Sequence, residues 1–415
     1  MNSWPRPNFS VCVVLSASQQ TGGGYHQALS NLRRILSALP EEFSVAVLDA
    51  KSTFHDGIND LIAEGQLTSG QVITLPQILP SLVDRVVADR RLPYRLIRRS
   101  LGFLGKSVGV SPLARFLDIS AYDLIVFASP CPEAGELTLK PYVWTLWDLC
   151  HLDSPEFPEV RTSGKFEARE NFNSLAIRKA ALVIADSADL VAKAQLYFGA
   201  RPEKFITIPF QPPVLISTGT HYADLLPARI QNISGQYFFY PAQLWTHKNH
   251  LRIVEALCLL KTQGLEYHAV FIGKDHGAGS RIRKQVALAE MENNIHFLGY
   301  VEDDVIPALY SNAIALVMAS YFGPTNIPPL EALALKVPVI ASNIHLNQLG
   351  NAALYFDPDS ASELAAQMNA VAVPETKSKL VAAGTRRLRE IDSASNIGLG
   401  QLTEALERLS KRLIR

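Results

Sequence analysis

Residues 9–39 read FSVCVVLSASQQTGGGYHQALSNLRRILSAL, and this stretch decides the fold. The β-branched apolar run at 9–17 predicts a strand that is buried on both faces, as in a parallel sheet. Three consecutive glycines follow it, and the next segment has the apolar spacing of an amphipathic helix. A strand, a glycine turn and a helix open a βαβ unit, so the stretch predicts an α/β protein.

The same pattern recurs along the chain, stops and then restarts. Apolar runs that predict further strands lie at 43–49, 122–129, 142–148, 181–187 and 205–209. After a polar, proline-containing stretch of weak periodicity, more runs follow at 237–242, 267–273, 295–300, 314–320, 337–342 and 353–357. Helical patterns separate several of these runs, which is typical of doubly wound sheets.

We therefore expect two Rossmann-like domains. The first would comprise residues 1–212, completed by an amphipathic C-terminal helix at 395–415, and the second residues 236–394, with a linker at 213–235. A length of 415 residues also favours two domains over one.

Composition limits the classes of protein to consider. The chain is 48% hydrophobic and 19% charged with zero formal net charge, which argues against extended disorder and against nucleic-acid binding. Its start lacks the pattern of a signal peptide, and no run reaches the roughly 18–20 apolar residues that span a bilayer. The four cysteines are scattered, so we expect reduced thiols and a cytoplasmic protein.

The glycine turn is the first candidate binding element. Gly22, Gly23 and Gly24 would let backbone amides approach a phosphate at the positive end of the following helix. No lysine follows them as a P-loop requires, so a purely structural tight turn is the alternative.

A second candidate is WDLCHLDSPEFPE, residues 147–159, which follows a predicted strand. Asp148 could orient a sugar hydroxyl or act as a base, and His151 could bind a hydroxyl or phosphate. Alternatively, Asp148 caps the next turn and His151 is a surface residue.

A third candidate is PAQLWTHKNHLRIVEAL, residues 241–257. Lys248 stands at the start of a predicted helix, where its charge adds to the positive helix end instead of compensating it. This placement favours an anion contact, and a solvated lysine that points away is the alternative.

The fourth candidate is YFGPTNIPPLEALALKVPVIAS, residues 321–342. Two prolines stiffen the start of a helix. We expect Glu331 in the first helical turn, where it could stay ionised and accept hydroxyls of a ribose. A capped structural helix is the alternative.

Residues 85–106 carry seven basic side chains against one acid, with apolar side chains between them. This pattern suits a peripheral contact with anionic lipid at the inner face of the plasma membrane, and a solvated charged face is the alternative.

Taken together, these motifs resemble the retaining glycosyltransferases of family 4, which have the GT-B fold of two Rossmann-like domains facing across a cleft. The ordered set PAQLWTHKNH, FIGK, IHFLGYV, NIPPLEA and ALYFDPD carries the resemblance, with a looser match through GGG and WDLCH. The YFGPTNIPPLE form is similar to enzymes of bacterial surface polysaccharide, O-antigen and lipopolysaccharide synthesis, including mannosyltransferases.

The resemblance implies transfer of a hexose from a nucleotide diphosphate sugar to a saccharide or lipid-linked oligosaccharide, without a metal or other cofactor. GDP-mannose is the favoured donor, and UDP-hexoses are the alternative. Glu331 would hold the ribose, and Lys248 would neutralise the diphosphate. The implied donor contacts also include Gln243, Tyr300, Val301, Thr325, Asn326, Ile327 and the three glycines.

The sequence departs from the family pattern at positions that matter for the donor. Gly323 stands where the first glutamate of a Glu-x7-Glu pair is usual, and Gln243 stands where an arginine is usual. Two further readings therefore stay open: a non-catalytic, glycosyltransferase-like scaffold subunit and a GT-B sugar-nucleotide epimerase.

Overall fold

The computed structural model describes residues 8–16, 23–75, 110–212, 226–233 and 236–414. The chain divides into two compact units. The first comprises Met1–Trp147, Glu167–Ile208 and Asn396–Arg415, and the second comprises Asp148–Phe166 and Pro209–Ser395. The basic segment 85–106, Gly22 and most of the expected linker lie outside the described residues.

The first unit contains a seven-stranded parallel sheet in the order β3-β2-β1-β4-β5-β6-β7. Its strands are β1 (Ser10–Leu15), β2 (Ser44–Asp49), β3 (Val72–Thr74), β4 (Leu124–Phe127), β5 (Tyr142–Leu146), β6 (Leu182–Ala185) and β7 (Phe205–Thr207). Every residue of β4 and β5 is buried, as expected for strands covered on both faces.

The second unit contains a six-stranded parallel sheet in the order β10-β9-β8-β11-β12-β13. Its strands are β8 (Tyr237–Pro241), β9 (His268–Ile272), β10 (Ile295–Gly299), β11 (Ala315–Met318), β12 (Val339–Ser342) and β13 (Ala353–Phe356). Phe238, Phe239 and Phe271 lie in its apolar core.

The α-helices within the described residues fall into the two halves of the chain. Up to β8 they are α1 (Gly23–Ala38), α2 (His55–Ala63), α3 (Pro112–Ile119), α4 (Cys150–Asp153), α5 (Pro158–Arg161), α6 (Lys165–Lys179) and α7 (Ala188–Phe198). After β8 they are α8 (His250–Thr262), α9 (Gly279–Leu288), α10 (Ile306–Ser311), α11 (Ile327–Ala334), α12 (Leu346–Leu349), α13 (Ala361–Val371) and α14 (Pro374–Leu413).

The last helix, α14, is 40 residues long and therefore begins well before the segment expected from the sequence. Its residues up to Ser395 cluster with the second unit, and those from Asn396 with the first. In the first unit, Leu402 and Leu406 are buried in the core and the Thr403 hydroxyl donates to the Ala38 carbonyl at 2.8 Å. The end of the chain therefore packs into the core of the first unit.

The α/β prediction is confirmed, because each of the twelve apolar runs named above contains one of the strands. Among the described strands, only β3 was not predicted. All four cysteines are free thiols. Within the described part of the chain, no helix combines the length and apolar character needed to cross a bilayer.

Candidate functional site

The order in which strands are added to the second sheet reverses between β8 and β11. The chain runs outward from β8 through β9 to β10, and β11 then pairs with the other side of β8. In open parallel sheets, ligands bind beyond the carboxyl ends of the strands at such a switch point. The segment after β8 carries Lys248, and the segment after β11 carries residues 319–326 and leads into α11.

Lys248 lies half-buried between these two segments. Its Nζ atom is 3.5 Å from Ser320 Oγ and 3.4 Å from Asn326 Oδ1. Burial lowers its pKa to about 8. Among the described residues, no carboxylate oxygen lies within 4.0 Å of Nζ. The side chain is therefore a largely protonated cation at pH 7 with neutral neighbours, which suits contact with an anionic ligand.

Two hydrogen bonds fix the backbone around Lys248. The Tyr240 hydroxyl donates to the Lys248 carbonyl at 2.8 Å, and the Tyr321 amide donates to the His247 carbonyl at 2.9 Å. The second bond ties the Lys248 segment directly to the segment after β11. The two candidate stretches quoted from the sequence, 241–257 and 321–342, are thus in direct contact.

The turn before α11 is held by hydrogen bonds of the Gln348 and Asn326 side chains. The Asn326 amide donates to Gln348 Oε1 at 3.1 Å, and Gln348 Nε2 donates to the Asn326 carbonyl at 2.7 Å. Asn326 Nδ2 donates to the carbonyl of Gly323, whose φ is +85°. The Asn326 amide is thus already engaged within the protein, while its side-chain oxygen faces Lys248. Thr325 precedes it in the same turn.

Glu331 is the fifth residue of α11, because the helix begins at Ile327 after the N-cap Asn326. The expectation that Glu331 lies in the first turn is therefore wrong; it lies in the second. The buried Tyr310 hydroxyl donates to Glu331 Oε2 at 2.7 Å, which fixes the carboxylate. Burial, and then the charge of Glu331, raise the pKa of Tyr310 well above its usual value, so the phenol remains a donor.

Gln243 lies at the carboxyl end of β8, where its Oε1 accepts from Trp245 Nε1 at 2.9 Å. The backbone there touches Gly273, which has φ +126°; a Cβ at that glycine would come within 2.8 Å of Gln243 Cα. This close approach requires glycine, because any side chain would strike backbone atoms.

Tyr300 and Val301 follow β10 at the same edge of the sheet. Tyr300 is 49% exposed, and Lys274 Nζ lies 5.9 Å from the centroid of its ring. Val301 packs against the core of the second unit. Because β9 lies between β10 and β8 in the sheet, it separates these two residues from the Lys248 segment.

The two residues proposed after β5 have different environments. Asp148 Oδ1 accepts from the Cys150 amide at 3.0 Å, so the carboxylate caps this turn. His151 is completely buried and lies edge-on to Phe166, with centroids 5.5 Å apart. The alternative of a surface histidine is therefore wrong.

The structure adds a buried pair that the sequence analysis missed. Glu159 Oε1 accepts from the His247 amide at 2.7 Å and lies 2.5 Å from His247 Nδ1. Burial, and then the charge of Lys248, lower the pKa of His247 to about 4. The ring is thus neutral at pH 7 and donates Nδ1–H to the carboxylate. Although burial opposes it, hydrogen bonding from His247 keeps the pKa of Glu159 below its usual value.

Aromatic contacts complete the surroundings of this pair. The His247 ring stacks on Phe322 with centroids 3.9 Å apart, and Phe157 lies 5.4 Å from the same phenylalanine. Farther along, Lys165 Nζ lies 5.8 Å from the Trp245 ring centroid. The segment Asp148–Phe166 therefore braces the loop that carries Lys248.

In the first unit, helix α1 comes after β1, which also borders a switch point because β1 pairs with β2 and β4. Helix α1 begins at Gly23, and Gly24 lies next to Trp147, where an added Cβ would be 3.7 Å from the ring. The amino end of α1 thus stands at the carboxyl edge of its sheet, as phosphate-binding turns do.

Comparison with known proteins supports the importance of the second unit. Residues 230–387 match the family described as glycosyl transferases group 1. The O-antigen chain mannosyltransferase RfbU of Salmonella typhimurium is 31% identical over 125 residues, which are 30% of this chain and 35% of RfbU. The O-antigen chain mannosyltransferase B of Escherichia coli is 28% identical over 135 residues, 32% of this chain and 35% of that protein. The matched stretch thus spans about a third of each curated relative.

Among solved structures, HepE of Anabaena in complex with UDP and glucose has a TM-score of 0.66 and 19% identity over 96% of this chain and 99% of HepE. At that identity the likeness concerns the fold. The chain has the GT-B fold, with two Rossmann-like sheets.

Proposed function

We propose that the protein is a glycosyltransferase that moves a hexose from a nucleotide diphosphate sugar to a saccharide or lipid-linked oligosaccharide in cell-surface polysaccharide synthesis. The observation that carries the proposal is Lys248, a cation without a carboxylate neighbour among the described residues, at the switch point of the sheet that matches the family. The names of the two curated relatives, both O-antigen chain mannosyltransferases, support the biological setting.

The donor would place its diphosphate next to Lys248 and Asn326. Tyr310 holds the Glu331 carboxylate in one orientation, which suits a bidentate contact with ribose hydroxyls. The backbone at Tyr300 and Val301 would contact the base. GDP-mannose is our first choice because both relatives are mannosyltransferases, and a UDP-hexose is the alternative because HepE binds UDP and glucose.

In the transfer step, the bond between the anomeric carbon and the diphosphate oxygen breaks as the acceptor oxygen bonds to that carbon. The diphosphate would leave with the electron pair of the broken bond and so gain negative charge, and the proton of the acceptor hydroxyl would pass to one of the diphosphate oxygens. Lys248 would stabilise this charge, and such preorganised electrostatic stabilisation is usually the largest contribution to catalysis of this kind. Following the family resemblance, we propose attack on the face that the diphosphate leaves, with retention of configuration.

The proposal is tested by measuring GDP or UDP released from GDP-mannose or UDP-glucose with mannose oligosaccharides as acceptors. The wild type should release one nucleotide in an acceptor-dependent manner, and Lys248→Met should reduce the rate at least tenfold. Lys284→Met, at an exposed position on α9, is the matched control and should be silent. Nucleotide binding without any release would instead support the scaffold subunit.

A further inference from the structure

A basic cleft of about 500 Å³ lies in the first unit between the amino ends of β6 and β7 and the last turns of α14. Leu182 is the first residue of β6 and Lys204 immediately precedes β7, so the cleft opens at the amino-terminal edge of the sheet. The amino end of α1, the candidate phosphate contact, lies at the carboxyl edge, after β1. The cleft is therefore separate from the binding edge of its own sheet.

The charge lining this cleft is strongly unbalanced. Four cationic side chains border it, and Glu203 is its single acidic residue; the cations are Arg201, Lys204, Arg408 and Arg412. Arg408 contacts Glu404 at 3.4 Å, but both side chains are mostly exposed and such pairs contribute little. Within the described ranges, no carboxylate oxygen lies within 4.0 Å of the cationic atoms of Arg201, Lys204 or Arg412.

Two different elements bring these cations together. Basic residues in the last turn of α14 complement the helix dipole, which accounts for Arg412. The helix dipole does not explain Arg201 and Lys204, because they belong to the connection before β7. Convergence of like charges from two elements costs electrostatic energy unless an anion is present.

Lys204 is a fixed part of this lining. Its Nζ donates to the Arg178 carbonyl at 2.9 Å and the Ala180 carbonyl at 2.8 Å, which holds the ammonium at the cleft wall. Burial, and then the charge of Arg201, lower the pKa of Lys204. An anion would counter the effect of the Arg201 charge, and the arginines around Lys204 offer planar donors that match phosphate oxygens.

We propose that this cleft is a second anion site, which binds a phosphate group that carries an apolar portion. The arginines and Lys204 would hold the phosphate, while Leu182 and Leu409 provide apolar surface on the same lining. The phosphate could belong to a soluble phosphorylated compound or to a lipid headgroup. The proposal does not depend on the glycosyltransferase activity.

The test uses full-length protein carrying Lys248→Met, so that the proposed diphosphate site contributes little binding. In this background, the cleft variant carries Arg201→Gln, Arg408→Gln and Arg412→Gln. The control variant carries Arg281→Gln, Lys284→Gln and Arg386→Gln, which removes the same charge at exposed positions of the second unit. The probes are inorganic pyrophosphate, by calorimetry, and vesicles of phosphatidylcholine with or without phosphatidylglycerol, by sedimentation.

Saturable pyrophosphate binding that weakens at least tenfold in the cleft variant, but not in the control, would support a site for soluble phosphate compounds. Sedimentation with phosphatidylglycerol vesicles that is lost only in the cleft variant would support a headgroup site. Equal behaviour of the cleft and control variants with both probes would overturn the proposal, because binding would then reflect net charge alone. The substituted side chains are exposed or line the open cleft, so both variants should melt at the temperature of the parent protein that carries Lys248→Met alone.

Discussion

At the scale of residues, the half-buried cation Lys248 dominates the chemistry of the candidate site. The Lys248 ammonium has hydroxyl and amide oxygens as neighbours instead of a carboxylate. Its pKa of about 8 means that the folded protein holds this proton less tightly than the unfolded chain. The charge thus costs stability in the free protein and becomes favourable only when an anion is bound.

This cost predicts that Lys248→Met stabilises the free protein at pH 7. Because the pKa is lowered on folding, the cost is fully present below pH 8 and disappears as the pH rises toward 10.5. We expect a gain on the order of 1 kcal/mol at pH 7, discounted for the partial exposure of the side chain. Urea unfolding of both proteins at pH 7 and pH 9.5 measures it. A variant less stable than wild type at pH 7 would contradict the account.

Gly323 is the second residue whose role follows from local geometry. Its φ of +85° strains any residue with a side chain, and an added Cβ would lie 3.2 Å from Asn326 Nδ2. We predict that Gly323→Ala lowers the free energy of unfolding by about 1–2 kcal/mol. Gly323→Glu, which restores the usual family residue, should be no better than alanine. Chemical denaturation measures both, and a glutamate variant as stable as wild type would show that the turn can adapt.

At the scale of secondary-structure elements, the segment Asp148–Phe166 braces the loop that carries Lys248, although the two are distant in sequence. Glu159 accepts two hydrogen bonds from His247, the residue before Lys248, while Phe157 packs beside the stacked His247 and Phe322 rings. We infer that Glu159 positions Lys248 without touching the donor itself.

Loss of this brace predicts weaker nucleotide binding. Glu159→Ala leaves the buried His247 amide without its acceptor, so we expect about tenfold weaker binding of the nucleotide diphosphate. Glu159→Gln keeps a neutral acceptor oxygen and should recover most of the affinity. Calorimetric titration of both variants measures the difference, with Glu156→Ala on the same segment as the control. If Glu159→Ala and Glu159→Gln weaken nucleotide binding equally, Glu159 acts through its charge rather than through this geometry.

At the scale of helices and strands, some features could be predicted from the sequence and others could not. Strands were predictable because burial on both faces leaves continuous apolar runs, and the presence of a helix at α11 was predictable from its two prolines. The turn number of Glu331 was not, because the N-cap at Asn326 is one residue earlier than the prolines suggest. No local pattern links Glu159 with His247, since the pair is 88 residues apart and only folding brings it together.

At the scale of the whole molecule, the last turns of α14 contribute to the core of the first unit. Gly398 on α14 packs against β7 so closely that an added Cβ would lie 2.3 Å from the Thr207 carbonyl oxygen. The same helix buries Leu402 and Leu406 in the first unit's core. The final helical turns are thus part of that unit's structure.

We predict that Gly398→Val displaces this helix and destabilises the first unit by about 2–4 kcal/mol, through overpacking and lost burial. Gly400→Val on the same helix is the control, because an added Cβ there meets no atom within 4 Å. Hydrogen exchange should show faster amide exchange in β1 and β7 but not in β8 or β11. Equal protection in the two variants would mean that the helix end is not required.

Much at this scale was within reach of the sequence, and some was not. Two alternating β and α patterns separated by a polar stretch predicted two Rossmann-like sheets, as the strand orders confirm. The amphipathic pattern of the last helix predicted that one of its faces is buried, but not which unit this face packs against. Grouping of Asp148–Phe166 with the second unit depends on side-chain packing that hydrophobic periodicity does not encode.

The most direct test of the central claim is calorimetric titration of GDP, UDP, GDP-mannose and UDP-glucose into wild type and Lys248→Met at pH 7. We predict that one nucleotide family binds the wild type and that its dissociation constant rises about 10- to 100-fold in the variant, as expected for loss of a charged hydrogen bond. Absence of binding by all four compounds, or equal affinity in both proteins, would contradict the assignment of the donor diphosphate to Lys248.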